Sequence, residues 1–294
     1  MNAARLDPLD PGFTSPRAEH RPLTLQDLTP QERDAVARYR TWKRFHHGPR
    51  QQPTPLLASI TRYPTSVLVA GCQRSGTTIM TRVIAKARGF QRFAFTHDDE
   101  LDAALILAGH VRVPDDRRYC FQTTYLNERY PDYALMRPDQ KLIWVLRNPY
   151  SVVYSMLYNW KRFALEELYD SCVPTAHSGM RGFWPFGPSL AQKAALAYAH
   201  KTAQLEEIRR IVGPERLRVI EYDRLVQDPQ TWLRAIFSFI GEPYDPAYAR
   251  SLRADSVDKA RRMSRRVRAL VEQFAVPTYA RCLRLVSGTA PSGG

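Results

Sequence analysis

The chain has 294 residues, 44% of them hydrophobic, and Lys plus Arg outnumber Asp plus Glu by 43 to 29, a formal net charge of +14. This is enough apolar material for a packed core in one large or two small domains, which excludes a disordered or fibrous chain. The cationic excess draws anions of any kind, nucleotide, nucleic acid or acidic lipid, and does not choose among them.

The four cysteines, Cys72, Cys120, Cys172 and Cys282, are scattered with no C-x-x-C pair. They read as reduced thiols, not as a zinc site or a disulfide frame. No stretch approaches the roughly 20 apolar residues that cross a bilayer. The first twenty residues are polar and contain Pro, unlike a secretory signal. The expectation is a cytoplasmic protein with no membrane span.

Residues 1 to about 24 read as a lead segment. Thr29-Pro30-Gln31-Glu32 is a capping box with Pro at the first helical position. The helix it opens runs toward Phe45, with Val36, Tyr39, Trp42 and Phe45 three or four residues apart. His46 and His47 follow at the helix end, where the dipole favours a cation, so they are not read as metal ligands. Residues 48–55 form a linker, and 1–61 together read as an extension with one amphipathic helix.

The main domain is expected over 62–250. Ser66 to Ala70 is a buried-strand pattern feeding Gly71-Cys72-Gln73-Arg74-Ser75-Gly76-Thr77-Thr78. Gly71 and Gly76 match the glycines of G-x-x-x-x-G-K-[ST], but Thr77 stands where the lysine belongs. Such a loop can still cradle an anion through its amides and the following helix N-terminus, while lacking the group that reaches a γ-phosphate. Thr77 to Arg88 reads as that helix, Phe93-Ala94-Phe95 as a second strand, and Cys120 to Leu126 as a third. His97-Asp98-Asp99-Glu100 directly follows the second strand.

Lys141 to Leu146 is a short apolar run typical of a buried parallel strand. It ends at Arg147-Asn148-Pro149, and a helix follows through Ser151 to Trp160 with Pro149 in its first turn. Ser155 comes seven intervening residues after Arg147. Residues 170–188 include the aromatic, turn-rich run from Gly182 to Pro188, which suits either a substrate loop or a hydrophobic plug. Ser189 to Val212 is a Ser-capped helix ended by Gly213-Pro214. Leu217 to Ile220 is a strand, and Thr231 to Ile240 a helix with Trp232, Ile236, Phe237 and Ile240 on one stripe. The tail, 251–294, carries Lys259, Arg261, Arg262, Arg265, Arg266 and Arg268, a solvated helix face packed on the same domain. The strand–helix alternation predicts an α/β fold, a P-loop-type parallel sheet flanked by helices on both faces in three α/β/α layers.

Gln73-Arg74-Ser75-Gly76-Thr77-Thr78 resembles the 5′-phosphosulfate loop of the sulfotransferase family, with Arg74 where cytosolic members usually carry Lys. Arg147 and Ser155, behind their strand, resemble that family's 3′-phosphate site. Glu221-Tyr222-Asp223-Arg224-Leu225-Val226-Gln227-Asp228-Pro229 resembles its Tyr-Glu-Asp-Leu-x-x-x-Pro segment. Asp223 and Arg224 replace the acidic pair, and Tyr222 falls on the tyrosine that lies near the adenine.

The resemblance implies transfer of a sulfuryl group from 3′-phosphoadenosine 5′-phosphosulfate to a hydroxyl or amine of a small-molecule or glycan acceptor, with no metal. The donor would be held by Arg74, Ser75, Gly76, Thr77, Thr78, Arg147, Ser155 and Tyr222, and Arg74 would also offset charge on the leaving group. One branch of the family takes its base from a Lys-Thr-His strand, where this chain has Gln122-Thr123-Thr124. Another uses a glutamate just after the second strand, where this chain offers His97-Asp98-Asp99-Glu100. Asp98 is the first choice as base, then Glu100, with His97 also open. The same residues equally suit a helix N-terminal cap. The family's C-terminal Arg-Lys-Gly segment is absent, leaving the tail arginines as candidates for a similar contact.

Two other readings compete. A P-loop kinase or nucleotide triphosphatase is disfavoured by the missing lysine and the lack of a strand-end Asp. A nucleic-acid-binding protein is disfavoured because aromatic and basic residues do not interleave as in known modules. No specific nucleic-acid partner is expected.

Overall fold

Successive side chains of a strand point to opposite faces, so a strand buried on both faces needs apolar residues at every position. The computed structural model, which describes residues 21–48, 55–173, 187–252 and 261–286, shows this in four strands. They are β2 (Val67–Gly71), β4 (Cys120–Gln122), β5 (Lys141–Leu146) and β6 (Leu217–Glu221), ordered β4-β2-β5-β6 and all parallel.

Leu68, Ala70, Leu142, Trp144 and Leu146 face one core, with helices α4 (Asp99–Leu107), α8 (Leu190–Val212) and α12 (Val276–Val286) packed against them. Val67, Val69, Ile143 and Val145 face the other, under α3 (Thr77–Ile84), α9 (Tyr222–Gln227) and α10 (Pro229–Phe239). The result is the expected three-layer α/β/α arrangement. A third apolar cluster joins α6 (Pro149–Tyr158), α7 (Arg162–Cys172), α8 and α11 (Arg265–Phe274) through Val152, Val153, Leu165, Leu168, Tyr198 and Val271. A short helix, α5 (Tyr130–Tyr133), lies between β4 and β5.

Three elements differ from the sequence reading. The second strand, β3 (Phe93–Ala94), is outside the main sheet and pairs in parallel with β1 (Leu23–Thr24). It is too short, and too exposed on one side, to enter a sheet buried on both faces. The N-terminal helix is two pieces, α1 (Pro30–Arg38) with its Thr29–Glu32 capping box and α2 (Trp42–His47) capped by Thr41. Thr41 competes for a backbone amide and so restarts the helix. The third strand stops at Gln122, and a 3₁₀ turn over Thr124–Leu126 takes its place.

The aromatic run 182–186 and Lys259 of the tail lie outside the described residues. Among the described residues no helix is long and apolar enough to cross a membrane, and no cluster of His, Cys, Asp and Glu could hold a metal ion. The chain leaves β2 toward β4 on one side and reaches β5 on the other. The strand order therefore reverses between β2 and β5, and ligands of open α/β sheets bind at such a switch point, at the strands' carboxyl ends.

Candidate active site

Both loops at that switch point carry motif residues. After β2 the chain turns through Gly71 at φ 149° and Gly76 at φ 103° into α3. A Cβ on Gly71 would stand 2.6 Å from the Val145 carbonyl oxygen, and one on Gly76 would stand 2.5 Å from the Tyr222 ring. Both positions therefore need glycine for approach as well as for backbone angle. Arg74 itself takes φ 70°, an uncommon conformation for a side-chain-bearing residue. Gly76 has no side chain to cap α3, so the first amides of that helix have no side-chain cap.

After β5, Arg147 is nearly buried. Its Nη1 donates to the Arg74 carbonyl at 3.3 Å, and its guanidinium lies 4.7 Å from the Tyr222 ring centroid. Its counter-ion is Asp223, at 3.6 Å from Nε, too long for a hydrogen bond, and among the described residues neither that Nε nor Asp223 Oδ1 has a hydrogen-bond partner within reach. Asp223 Oδ2 accepts the Asn148 amide at 3.0 Å. Ser155, one turn further along α6, accepts Arg74 Nε at 3.0 Å, so the two motifs meet side chain to side chain. Loss of solvent, and then the charge of Arg147, lowers the pKa of Arg74 below its ordinary value. Arg74 and Arg147 feel each other's charge, and Asp223 pairs with Arg147, so the corner carries more positive than negative charge.

On the other side of the loop lies a cavity of about 280 Å³, lined by Arg74, Thr77 and Thr78 from the loop, Asp98 and Glu100 from the start of α4, and Tyr125. Glu100 is the carboxyl on this cavity whose pKa is raised. Burial, then the charge of Asp98, pushes the carboxyl up to about 7, against the opposing pull of the hydrogen bonds it accepts. Those come from the Tyr125 amide at 2.6 Å, Gln122 Nε2 at 2.9 Å and the Thr124 hydroxyl. Gln122 Nε2 is also 3.2 Å from Thr77 Oγ1, which ties the phosphate loop to the carboxylate. Behind Thr124, the fully buried Lys201 donates to its carbonyl at 3.0 Å and to Glu128 at 2.8 Å.

Asp98 is arranged differently. Its Oδ1 accepts the amides of Glu100 and Leu101 at 3.1 and 3.2 Å, and its Oδ2 accepts Trp42 Nε1 at 2.8 Å. It is the N-cap of α4, its Oδ1 holding the helix start and its Oδ2 holding Trp42, whereas Glu100 is the raised carboxyl on the cavity. Asp99 pairs with Arg82 at 2.8 Å, and His97 lines the same wall.

Arg74, Thr77, Thr78, Asp98 and Glu100 thus share the cavity, whereas Ser75, Gly76, Arg147, Ser155 and Tyr222 sit on the loop's far side. Ser75 turns its hydroxyl inward to the Cys72 carbonyl at 2.5 Å, so the side chain shapes the loop instead of reaching outward. Tyr222 is 6% exposed and its ring is spent on packing against Gly76 and Arg147.

Four contributors escaped the sequence reading: Gln122, Tyr125, Trp42 and Lys201. Only Lys201 left a sequence signal, as a lone charge on the buried stripe Ala194, Tyr198, Lys201, Thr202 and Leu205 of α8. Tyr125 and Trp42 stack at 4.2 Å across 83 residues of chain, a contact no local pattern encodes.

Fold and loop define a three-layer α/β protein with a glycine-hinged strand-to-helix loop of P-loop type at its switch point. More narrowly, the chain belongs to the sulfotransferase family, whose sequence pattern matches residues 86–246, more than half of its 294. That match begins after the phosphate loop and includes Glu100, Arg147 and Ser155.

Nodulation protein NoeE of Sinorhizobium fredii is 28% identical over 44% of this chain and 28% of its own length. The omega-hydroxy-beta-dihydromenaquinone-9 sulfotransferase Stf3 of Mycobacterium bovis is 27% identical over 47% of this chain and 32% of its own. The chain therefore spans about a third of the length of these relatives. Among solved structures, the sulfotransferase domain of the Synechococcus PCC 7002 olefin synthase shares 15% identity at a TM-score of 0.48, over 72% of this chain and 95% of that one.

Proposed function

We propose that this chain transfers a sulfuryl group from 3′-phosphoadenosine 5′-phosphosulfate to a hydroxyl or amine of an acceptor held in the cavity, with Glu100 as the general base. One observation carries the reading: a buried carboxyl raised to about 7 faces the same cavity as Arg74, Thr77 and Thr78. A base near the working pH is the most effective one, because it is largely ionised yet still basic.

The loop side fits a doubly anionic nucleotide. The uncapped start of α3 suits a 5′-phosphate, and the net positive corner of Arg74 and Arg147 is short of one anion, as a 3′-phosphate would supply. The donor, once bound, brings an activated sulfuryl group on a phosphate leaving group. Glu100 takes the proton of the acceptor as its oxygen or nitrogen bonds to sulfur. Arg74 offsets the charge that builds on the phosphate as the old sulfur–oxygen bond breaks. Thr77 in place of lysine disfavours γ-phosphoryl chemistry. The acceptor class implied is a small molecule or glycan.

The test is Glu100→Gln, which keeps the shape and removes the proton acceptor. Turnover should fall about 10²–10⁴-fold, with affinity for adenosine 3′,5′-bisphosphate unchanged in calorimetry. Wild-type turnover in a folded Glu100→Gln protein would take the base elsewhere.

A further inference from the structure

Glu100 depends on two neighbours, Asp98 and Tyr125. Asp98 caps α4 through the Glu100 amide itself and supplies the charge that helps hold the Glu100 proton. Tyr125 gives Glu100 its backbone amide at 2.6 Å. Both neighbours are gripped by one residue of α2. The indole Nε1 of Trp42 donates to Asp98 Oδ2 at 2.8 Å, and its ring stacks on Tyr125 with centroids 4.2 Å apart and planes at 27°. Phe45, fully buried, backs the indole edge-on at 5.6 Å. Trp42 lies well before residue 86, where the family match begins.

We propose that Trp42 is a positioning residue for the reaction, a clamp from the N-terminal segment that fixes Asp98 and Tyr125 about the Glu100 carboxyl. The inference rests on the reading of Glu100 as the base. Its physical content is geometric. A general base must stay within hydrogen-bond reach of the proton it takes, and displacement of about 1 Å costs up to about 10²-fold. An isolated six-residue helix has little stability of its own, so α2 holds its place through these tertiary contacts. The indole also covers the wall behind Tyr125, and Glu100 owes its raised pKa first to burial.

The other groups that act on this carboxyl are the Thr124 hydroxyl and Gln122 amide, which donate to it, and Lys201 from α8, whose charge opposes the rise. Arg74, Arg82, His97 and Asp99 line the cavity around it, and His46 lies 5.7 Å from the Trp42 ring. Among the groups around Glu100, Tyr125 and His46 touch the indole and would shift with it, so a change in the Glu100 titration reports on the clamp as a whole.

Trp42→Ala and Trp42→Phe separate the two contacts, since Phe keeps a stacking face and loses the N–H. Three readouts are needed: the pH profile of kcat, affinity for adenosine 3′,5′-bisphosphate, and the Glu100 titration followed by carbon-13 carboxyl resonance. Trp42→Ala should lower kcat about ten-fold or more and move the acid limb, with the Glu100 titration, down by about one pH unit. Nucleotide affinity should be unchanged, and Trp42→Phe should fall between. An unmoved titration and kcat in Trp42→Ala would overturn the proposal. So would equal loss of nucleotide affinity in both variants, since that marks general loosening. A fully active Glu100→Gln protein alongside a shifted titration in Trp42→Ala would sink the base reading and, with it, the role of Trp42 in the reaction, leaving only its physical hold on the Glu100 carboxyl.

Discussion

The two sides of the phosphate loop both bury charge, and they balance it in opposite ways. On the cavity side, Glu100 accepts from Tyr125, Gln122 and Thr124, so its hydrogen bonds are complete without a ligand. On the far side, among the described residues, Arg147 keeps its counter-ion at 3.6 Å and one nitrogen without a hydrogen bond, while Arg74 nearby donates to the Ser155 hydroxyl. A buried polar group left unsatisfied costs about 1–3 kcal/mol, more when charged. The first side therefore holds its charge with partners of its own, and the second is left with positive charge in excess. The proposed roles of base and anion site draw on that difference.

The strongest break in this comparison is at Arg147. Its removal takes the counter-ion from Asp223 and one of two cations from the corner. Truncating one partner of a desolvated charge pair costs about 2–5 kcal/mol, so affinity for adenosine 3′,5′-bisphosphate should drop tens-fold or more in Arg147→Ala. Affinity for 5′-AMP, which lacks the 3′-phosphate, should be weak in wild type and change little. A titration showing the same loss for both nucleotides would place the 3′-phosphate away from Arg147.

The cavity side can be probed through stability. Glu100 carries a folded pKa of about 7 against an ordinary 4.5, so between those values the folded state binds more protons than the unfolded one. Stability from this group is then present at low pH and is lost as pH rises through that window. Glu100→Gln removes the titration. Its melting temperature relative to wild type should climb from pH 4.5 to 7, by an amount equivalent to roughly 2–3 kcal/mol. Parallel melting curves across that range would mean Glu100 is ionised in the folded protein throughout.

Legibility in the sequence followed the range of the interaction. β2 and β5 were readable because burial on both faces demands apolar runs, β6 because Leu217, Val219 and Ile220 keep enough of one despite Arg218, and the two loop motifs because each sits within a dozen residues of its strand. β3 was placed in the wrong sheet, since a two-residue strand carries no period from which to infer a partner. The cluster 97–100 was found as a cluster, but the choice within it was not readable. Which carboxylate caps α4 and which is buried depends on Trp42, Gln122 and Thr124, all over twenty residues distant. The inward turn of Ser75 and the packing of Tyr222 on Gly76 were hidden for the same reason.

The smallest expected effect separates the two carboxylates most directly. Asp98 holds α4 through two amides, and Asn is as good a cap as Asp, so Asp98→Asn should keep the helix start. Its new amide group would face the Trp42 N–H, donor against donor, and Glu100 would lose the neighbouring charge that helps raise it. Turnover should remain within about ten-fold of wild type, and the acid limb of the kcat profile should move downward. Asp98→Ala should in addition cost about 1 kcal/mol of stability through the lost cap. A drop of hundreds-fold in Asp98→Asn, with the acid limb abolished instead of shifted, would make Asp98 the base and reduce Glu100 to a buried support.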